Sequence, residues 1–386
     1  MGQWKECTIG DIGTVVGGAT PSTKKIDNYE NGTIAWITPK DLSNLSGRYI
    51  SHGERNITET GLKSCSAQLM PKNSVLFTSR APIGYVAIAE NEVCTNQGFK
   101  SVVPNENTDF LFLYYLLKYN KENIENMGSG TTFKEVSGKT MREIVVKVPE
   151  NIEEQHKIAE ILGTIDDKIE ENVKINKNLE QQAQTIYQQM FVDNASSDWA
   201  EGTLSDIADI TMGQSPSGSS YNEDGNGTIF FQGRAEFGFR FPTVRLYTTE
   251  PKRIACANDT LMSVRAPVGD LNVAHTDCCI GRGLAAIHSK NNHQSFVLYT
   301  MLSLKKQLDV FNGEGTVFGS INRNSLNEMP LLIPSSKKLD EFEVLVAPID
   351  AAIRNNYDEI CRLEQLRDTL LPKLMSGELD VSNIDL

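Results

Sequence analysis

Apolar or small side chains recur at a 4,3,4,3 spacing through Ile158, Leu162, Ile165, Ile169, Leu179, Ala183, Ile186 and Met190, with Asn172 and Asn176 at the two remaining steps. This is a heptad seam, and it predicts one long helix over residues 151–193. A second seam follows 184 residues later, through Phe342, Val346, Ile349, Ile353, Asn356, Ile360, Leu363, Arg367, Leu370 and Leu374, and predicts another helix over 338–378. Asn172 and Asn356 share one step of the pattern. An Asn facing an Asn would cost stability but fix the register of two paired helices. Roughly 38 residues at 1.5 Å each make a rod about 57 Å long, longer than a small domain is wide. The competing reading, an ordinary amphipathic helix lying on its own domain, does not need such length. Pro348, one turn into the second seam, is expected to kink that helix or set its N-terminus.

The remaining sequence repeats too. Thr8-Ile9-Gly10-Asp11-Ile12, Gly18 and Pro21-Ser22 return 195 residues later as Thr203-Leu204-Ser205-Asp206-Ile207, Gly213 and Pro216-Ser217. At the same shift, Gly32-Thr33-Ile34-Ala35-Trp36-Ile37 returns as Gly227-Thr228-Ile229-Phe230-Phe231-Gln232. The shift then drops to 185, pairing Arg80-Ala81-Pro82-Ile83-Gly84 with Arg265-Ala266-Pro267-Val268-Gly269, Cys94 and Gly98 with Cys279 and Gly283, and Gly128 to Phe133 with Gly313 to Phe318. The order is globular (1–150), helix (151–193), globular (194–337), helix (338–378) and a short C-terminal tail (379–386). Each globular copy reads as mixed α+β. Strands are expected at Ile34–Ile37, Ser74–Phe77, Tyr85–Ala89 and Ile144–Val148, and a helix at Phe110–Asn120 capped by Asp109. The second copy has its strands at Thr260–Val264, Leu271–Ala274 and Met329–Ile333, and its helix at Ser295–Leu308.

A length of 386 residues allows two or three domains, each with its own core. The longest apolar run, Phe110 to Leu117, is too short to span a membrane, and no basic-then-apolar start marks a signal peptide. A cytoplasmic protein is expected. Seven cysteines without a C-x-x-C pair fit reduced thiols there. The net charge of −13 argues against nucleic acid until its distribution is considered. Residues 1–150 balance at zero and 194–337 carry only −2, whereas 151–193 carry −5 and 338–386 carry −6. Either globular copy is therefore free to carry a basic face, and the acidic helices are better suited to meeting proteins.

Catalytic signatures fail on inspection. Ser137-Gly138-Lys139-Thr140 resembles the end of a phosphate-binding loop, but the leading Gly is replaced by Phe133. Asp224-Gly225-Asn226-Gly227 lacks the strand and helix of a dinucleotide site. His275 with Cys278 and Cys279 has no second ligand pair for zinc, and no metal site is expected. No Asn/Asp-Pro-Pro-aromatic step is present for methyl transfer, and the five His residues form no nucleophile-base pair. The chain reads as non-catalytic.

Three features together carry a family resemblance. They are the duplicated domain-plus-helix, the stretch Glu154 to Leu162 followed by Ile165-Asp166 and Ile169, and the closing Leu371 to Leu379. In these the chain resembles the specificity subunit of type I restriction-modification systems. The second helix departs from the pattern, opening Leu339-Asp340-Glu341-Phe342 without the Glu-Gln start, so its first turn is expected to pack differently. The resemblance implies two target recognition domains, each reading one part of a split DNA sequence about one helical turn apart, about 34–36 Å. It also implies that two long antiparallel helices form a coiled coil between those domains and dock two methyltransferase subunits, with restriction/translocase subunits joining them. The chain would have no cofactor of its own; S-adenosylmethionine, ATP and Mg would belong to the partners. A different class of reading, a duplicated-domain scaffold binding proteins and no nucleic acid, stands beside it. So does a specificity subunit working with a methyltransferase and no nuclease.

Phosphate contacts favour Lys, Arg, Ser, Thr and Gln on exposed loops, while base edges favour Arg on guanine and Asn or Gln on adenine. The first-copy candidates for double-stranded DNA are Thr20, Ser22, Lys24 and Lys25 after Gly18, Lys40 after the Trp36 strand, and Lys134. In the second copy they are Gln214, Ser215, Ser217 and Ser219, then Gln232 and Arg234, with Arg240 and Arg245 following. In the repeat frame Lys40 corresponds to position 235, beside Arg234. For Arg80 and Arg265, a role bracing their turn is at least as good a reading as contact with a base.

Overall fold

The structure is a computed structural model, and it describes residues 3–130, 134–313, 319–382 and 384. Residues 131–133 and 314–318 of the glycine-rich repeat, Phe133 among them, lie outside the described residues. The chain divides into two compact units, one formed by residues 1–174 with 356–386 and the other by 175–355. Each therefore combines one globular repeat with parts of both long helices. The first long helix runs Ile152–Tyr187 and ends in a π-helical turn at Gln188–Asp193. The second runs Ser336–Met375. Pro348 lies inside it and does not set its N-terminus.

In the first unit, a five-stranded sheet orders Gly13–Gly17, Lys100–Pro104, Val75–Ser79, Ile83–Ala89 and Tyr49–Ile50. A three-stranded sheet places Ile34–Ile37 between Arg55–Ile57 and Val93–Thr95, and Trp4–Thr8 pairs with Val145–Pro149. The helix Phe110–Tyr119 packs on the larger sheet, its start fixed by Asp109 Oδ1, which accepts from Phe112 N at 2.6 Å. The second unit builds the same plan. A four-stranded sheet includes Thr260–Ser263 and Leu284–Ser289, a five-stranded sheet centres on Thr228–Phe231 beside Cys278–Ile280, and Ala200–Thr203 pairs with Pro330–Ile333. Its helix Gln294–Ser303 replaces the longer one expected, stopping at Leu304 before a separate turn at Lys305–Leu308.

One register differs from the sequence repeat. Trp36 faces Cys94 across the parallel pair of the first unit, and Phe230 faces Cys279 in the second. Trp36 thus corresponds to Phe230, and the shift along this strand is one residue less than the flanking glycines suggest. Lys40 consequently corresponds to Arg234 itself.

The helices run antiparallel within each unit. In the first, Arg367 Nη1 donates to Asp166 Oδ1 at 2.9 Å, Asn172 Nδ2 to Glu359 Oε2 at 2.9 Å, and Lys157 Nζ to Ser382 O at 3.1 Å. In the second, Asn176 Nδ2 donates to Ile353 O at 3.2 Å, and Phe191 and Phe342 stack edge to face at 5.1 Å. Ile158, Leu162, Ala183, Phe342, Val346, Ile353 and Leu374 are fully buried, as a seam requires. Asn172 is buried as well, but the acceptor of its hydrogen bond is Glu359 and not Asn356. Antiparallel packing brings residues from opposite ends of the two seams together, so equal steps of the repeat need not meet. The expectation that Asn172 faces Asn356 is corrected to this extent.

Each globular repeat is bolted to its helices by a buried arginine. Arg48, 3% exposed, donates from Nε to Glu170 Oε1 at 2.9 Å and from Nη1 to Gly163 O at 3.3 Å, and its Nη2 meets Asp167. Tyr115, beside it, donates to Asp166 Oδ2 at 2.7 Å. Arg240, 5% exposed, pairs with Asp350 and with Glu180 at 3.5 Å, and donates to Tyr299 Oη at 2.9 Å; Tyr299 in turn donates to Asp350 Oδ1 at 2.9 Å. Burial works against the charge of both arginines, yet the facing tyrosine and carboxylates outweigh it and leave each guanidinium harder to deprotonate. Arg240 is therefore part of the frame and not an exposed DNA contact. Removing either guanidinium leaves the half-buried Glu170, or Glu180 and Asp350, without its donor, while Asp167 stays solvated, so Arg48→Ala or Arg240→Ala should cost about 1–3 kcal/mol. Tyr115→Phe or Tyr299→Phe should cost about 1–3 kcal/mol. Urea denaturation read by hydrogen exchange should place each loss in the mutated unit; an unchanged midpoint would refute the clamp.

The helix starts show how the repeats diverge. Gln155 is buried, accepts from Asp109 N at 3.1 Å and donates to Pro149 O at 3.1 Å, while His156 Nδ1 lies 2.8 Å from Asp109 Oδ2. In the second unit Leu339 takes the place of Gln155, and the carboxylate–imidazole contact reverses: His293 Nε2 lies 2.8 Å from Asp340 Oδ1. The first turn of the second helix does pack differently. Capping boxes, by contrast, recur unchanged. The Asp11 and Asp206 carboxylates are held below the usual range by the N–H, then the hydroxyl, of Thr8 and Thr203. A depressed carboxylate stabilises the fold above its unfolded value, about 3.9, and that contribution is lost as pH falls through the folded value. The double variant D11N/D206N should therefore lose less stability than the parent between pH 4 and pH 2. Parallel acid titration curves would exclude this role.

Candidate nucleic-acid interface

In each unit, the carboxyl ends of two parallel strands deliver two loops to one place, and a third loop closes over them. In the first unit the strands are Ile34–Ile37 and Val93–Thr95, followed by Thr38–Lys40 and Asn96–Gly98. The third loop, Gly18–Thr20, is drawn in by Ala19 N donating to Thr95 O at 3.0 Å and by Trp36 Nε1 donating to Ala19 O at 3.0 Å. Asn96 N donates to Ile37 O at 3.0 Å. The approach at Gly18 is so close that a Cβ there would lie 2.0 Å from Asn96 O. Only glycine fits.

The second unit repeats the backbone bonds of this arrangement, without the indole bond, since Phe230 stands where Trp36 does. Gln214 N donates to Ile280 O at 2.9 Å, Gly281 N to Phe231 O at 2.8 Å, and Gly283 N to Gln232 O at 3.3 Å. A Cβ on Gly213 would lie 2.1 Å from Gly281 O. A strand edge then adds the turn of the recurring arginines. Ser79 N donates to Gly98 O at 2.7 Å and Val264 N to Gly283 O at 2.9 Å.

The cluster gathers Thr20, Lys40, Gln214, Ser215, Gln232 and Arg234 from the sequence candidates, all exposed except the half-buried Ser215. Lys134 is exposed beside Glu135, which pairs with Arg80 at 3.7 Å and with Lys100 at 3.6 Å. Arg80 thus braces the segment it faces. Lys40 holds Glu54 at 2.7 Å, and this hydrogen-bonded carboxylate raises the lysine's affinity for its proton. Arg234 is held in the same way by Asp270 at 2.8 Å, which Lys305 also approaches at 3.1 Å.

Other candidates lie elsewhere. Ser22, Lys24 and Lys25 are exposed in the turn leading to Ile26–Asn28, and Ser217 and Ser219 sit in the turn around Gly218–Ser220, their hydroxyls 2.8 Å apart. Arg245 pairs with Glu236 at 3.0 Å and Glu223 at 4.0 Å. Two residues central to the cluster, Gln97 and Arg282, were not anticipated, although each precedes a glycine, Gly98 or Gly283, that the repeat singles out.

Features suggestive of catalysis resolve into ordinary structure. Ser137 Oγ caps the helix Gly138–Glu143 by accepting from Thr140 N at 3.0 Å. Asn222 braces the Asp224–Gly227 turn by accepting from Asn226 N at 3.0 Å. Cys278 is a buried strand residue whose thiol burial pushes up to about 12, so it stays protonated at neutral pH. Among the described residues no group of three His, Cys, Asp or Glu side chains could hold a metal ion, and no helix is long and apolar enough to cross a membrane.

The family described as "Type I restriction modification DNA specificity domain" matches residues 1–181 and again 196–354. The chain is 35% identical over 418 residues to the type I restriction enzyme MjaIX specificity subunit of Methanocaldococcus jannaschii, covering 99% of this chain and 95% of that one. It is 31% identical over 326 residues to the putative type I restriction enzyme MjaX specificity subunit of the same organism, covering 78% and 77% of the two chains. In fold it resembles the crystal structure of the S subunit of a type I restriction-modification system from M. genitalium, with a TM-score of 0.64 over 99% of this chain and 97% of that one, at 18% identity. With both repeats matched and relatives aligned over nearly its whole length, the chain belongs to the type I restriction-modification DNA specificity family, as a non-catalytic specificity subunit with two recognition domains.

Proposed function

We propose that the two three-loop clusters are the DNA-reading surfaces, each taking one half of a bipartite double-stranded target with an unread spacer between the halves. The observation that carries this is the duplication of the cluster itself. Backbone hydrogen bonds and glycine contacts hold its frame constant, while the exposed side chains on that frame differ between the copies. A rigid frame with variable polar side chains suits readout of two different sequences. Exposed Lys40 and Arg234, each in a surface ion pair, can exchange a carboxylate for a phosphate or a guanine edge at little cost, since such pairs contribute about 0–1 kcal/mol.

The acidic outer faces of the long helices are the proposed docking surface for two methyltransferase subunits, with restriction/translocase subunits joining that core in the cytoplasm. S-adenosylmethionine, ATP and Mg would be bound by those partners, the chain contributing sequence choice alone. A scaffold without nucleic-acid binding is not favoured by the family to which the chain belongs.

The test is methylome sequencing of a host expressing this chain with its methyltransferase, against the same host lacking the chain. A split methylated motif that disappears with the chain supports the reading, and methylation independent of the chain refutes it. Within that system, Arg234→Ala should leave folding stability within about 0.5 kcal/mol. It should weaken target binding by about 1–3 kcal/mol, relaxing one position of one half-site if Arg234 reads a base and weakening all sequences alike if it grips phosphate. Unchanged binding would remove Arg234 from the interface.

A further inference from the structure

Among the exposed side chains of the two clusters, one pair stands at matching positions and differs in chemistry. Gln97 lies between Asn96 and Gly98, and Arg282 between Gly281 and Gly283, each two residues past the end of a strand of the parallel pair. The backbone around each is pinned. Gly98 N donates to Asn96 Oδ1 at 2.8 Å and Phe99 N to Asn96 O at 3.3 Å, while Leu284 N donates to Gly281 O at 3.0 Å. A hydroxyl at a second matching position touches each: Thr20 donates to Gln97 Oε1, and Ser215 Oγ accepts from Arg282 N at 3.2 Å. Both side chains are exposed. The Arg282 guanidinium has no hydrogen-bonding or ionic partner among the described residues, unlike those of Arg48, Arg234, Arg240 and Arg245.

An amide with an oriented oxygen presents a donor and an acceptor side by side, the pattern that matches adenine N6 and N7. A guanidinium fork with its donors unspent matches guanine O6 and N7. We propose that Gln97 and Arg282 are the corresponding base-reading residues of the two domains, Gln97 taking an adenine in one half-site and Arg282 a guanine in the other. Thr20 is a positioning residue: its hydroxyl fixes which way the Gln97 amide faces. This inference rests on the three-loop clusters being the DNA-reading surfaces.

The test uses the full complex of this chain with its methyltransferase, and compares the parent with R282A, R282Q, Q97A and Q97R by methylome sequencing. Purified complexes are also titrated on duplexes carrying each base in turn at every motif position. R282A should lose about 10- to 100-fold of discrimination at a single guanine of one half-site, leaving the other half-site intact. Q97A should do the same at a single adenine of the other half-site, and R282Q and Q97R should shift preference at those positions towards adenine and guanine. Discrimination unchanged at every position would overturn the assignment. Equal weakening on all duplexes would do so too, by making the residues phosphate contacts, as would relaxation at a different base. Should a variant fail to methylate in cells, the duplex titration still decides. If the parent complex shows no split motif, the failure belongs to the DNA-reading proposal and not to this pair.

Discussion

Two guanidinium groups taken out of water fix the relation of each recognition domain to the helical segments of its own unit. Arg48 and Arg240 are each surrounded by carboxylates of the long helices and by a tyrosine of the globular repeat. Burying such a charge adds little net stability, because desolvation offsets most of the Coulomb gain. What the arrangement provides is geometry. A guanidinium held by several oxygens in fixed directions admits one orientation of domain on helix, where an apolar contact of equal area would tolerate sliding. The three-loop clusters inherit that orientation through the sheets.

The repeat shows which features that geometry demands. Tyr115 and Tyr299, Asp166 and Asp350, and the glycines at 18 and 213 are kept, since each touches something that cannot move. The carboxylate–imidazole contact at the helix start keeps its 2.8 Å separation with acid and imidazole exchanged. Such a reversal is tolerated because the interaction is symmetric in its partners, although Asp109 also caps a helix and His293 does not. The same logic separates frame from readout on the loops. Backbone bonds recur, and the side chains they carry are free to change.

Much of this was legible in the sequence. The heptad seams and the repeated Gly, Pro and Arg positions report directly on periodicity and on tight approach, which are local properties. Three things were not legible. The clamp arginines are related by a shift of 192 residues, between the shifts of their flanks, because length differs on both sides of them. Arg48 therefore carries no repeat signal, and Arg240 reads from sequence as a surface cation, because burial is a tertiary fact with no signature of its own. From sequence the Trp36 strand aligns one residue out, because the glycines ahead of it recur at a spacing the strand does not share. In a period of two, such a slip exchanges the faces, and only the parallel register corrected it. Gln97 and Arg282 carry no sequence signal of their own, since their side chains differ between the copies and only the glycines beside them recur.

The acidity of the chain is consistent with this division of labour. The negative charge is concentrated on the helical segments, and the two domains are near neutral. Two exposed cations of the proposed reading surfaces are already paired, Lys40 with Glu54 and Arg234 with Asp270. Paired cations attract phosphate weakly, so non-specific binding by the chain alone should draw on few released counterions. On the proposed reading, discrimination then comes from donors and acceptors aimed at base edges, whose value depends on being held still before the DNA arrives. The glycine-packed frame under the loops and the buried arginines beneath the domains serve that one requirement.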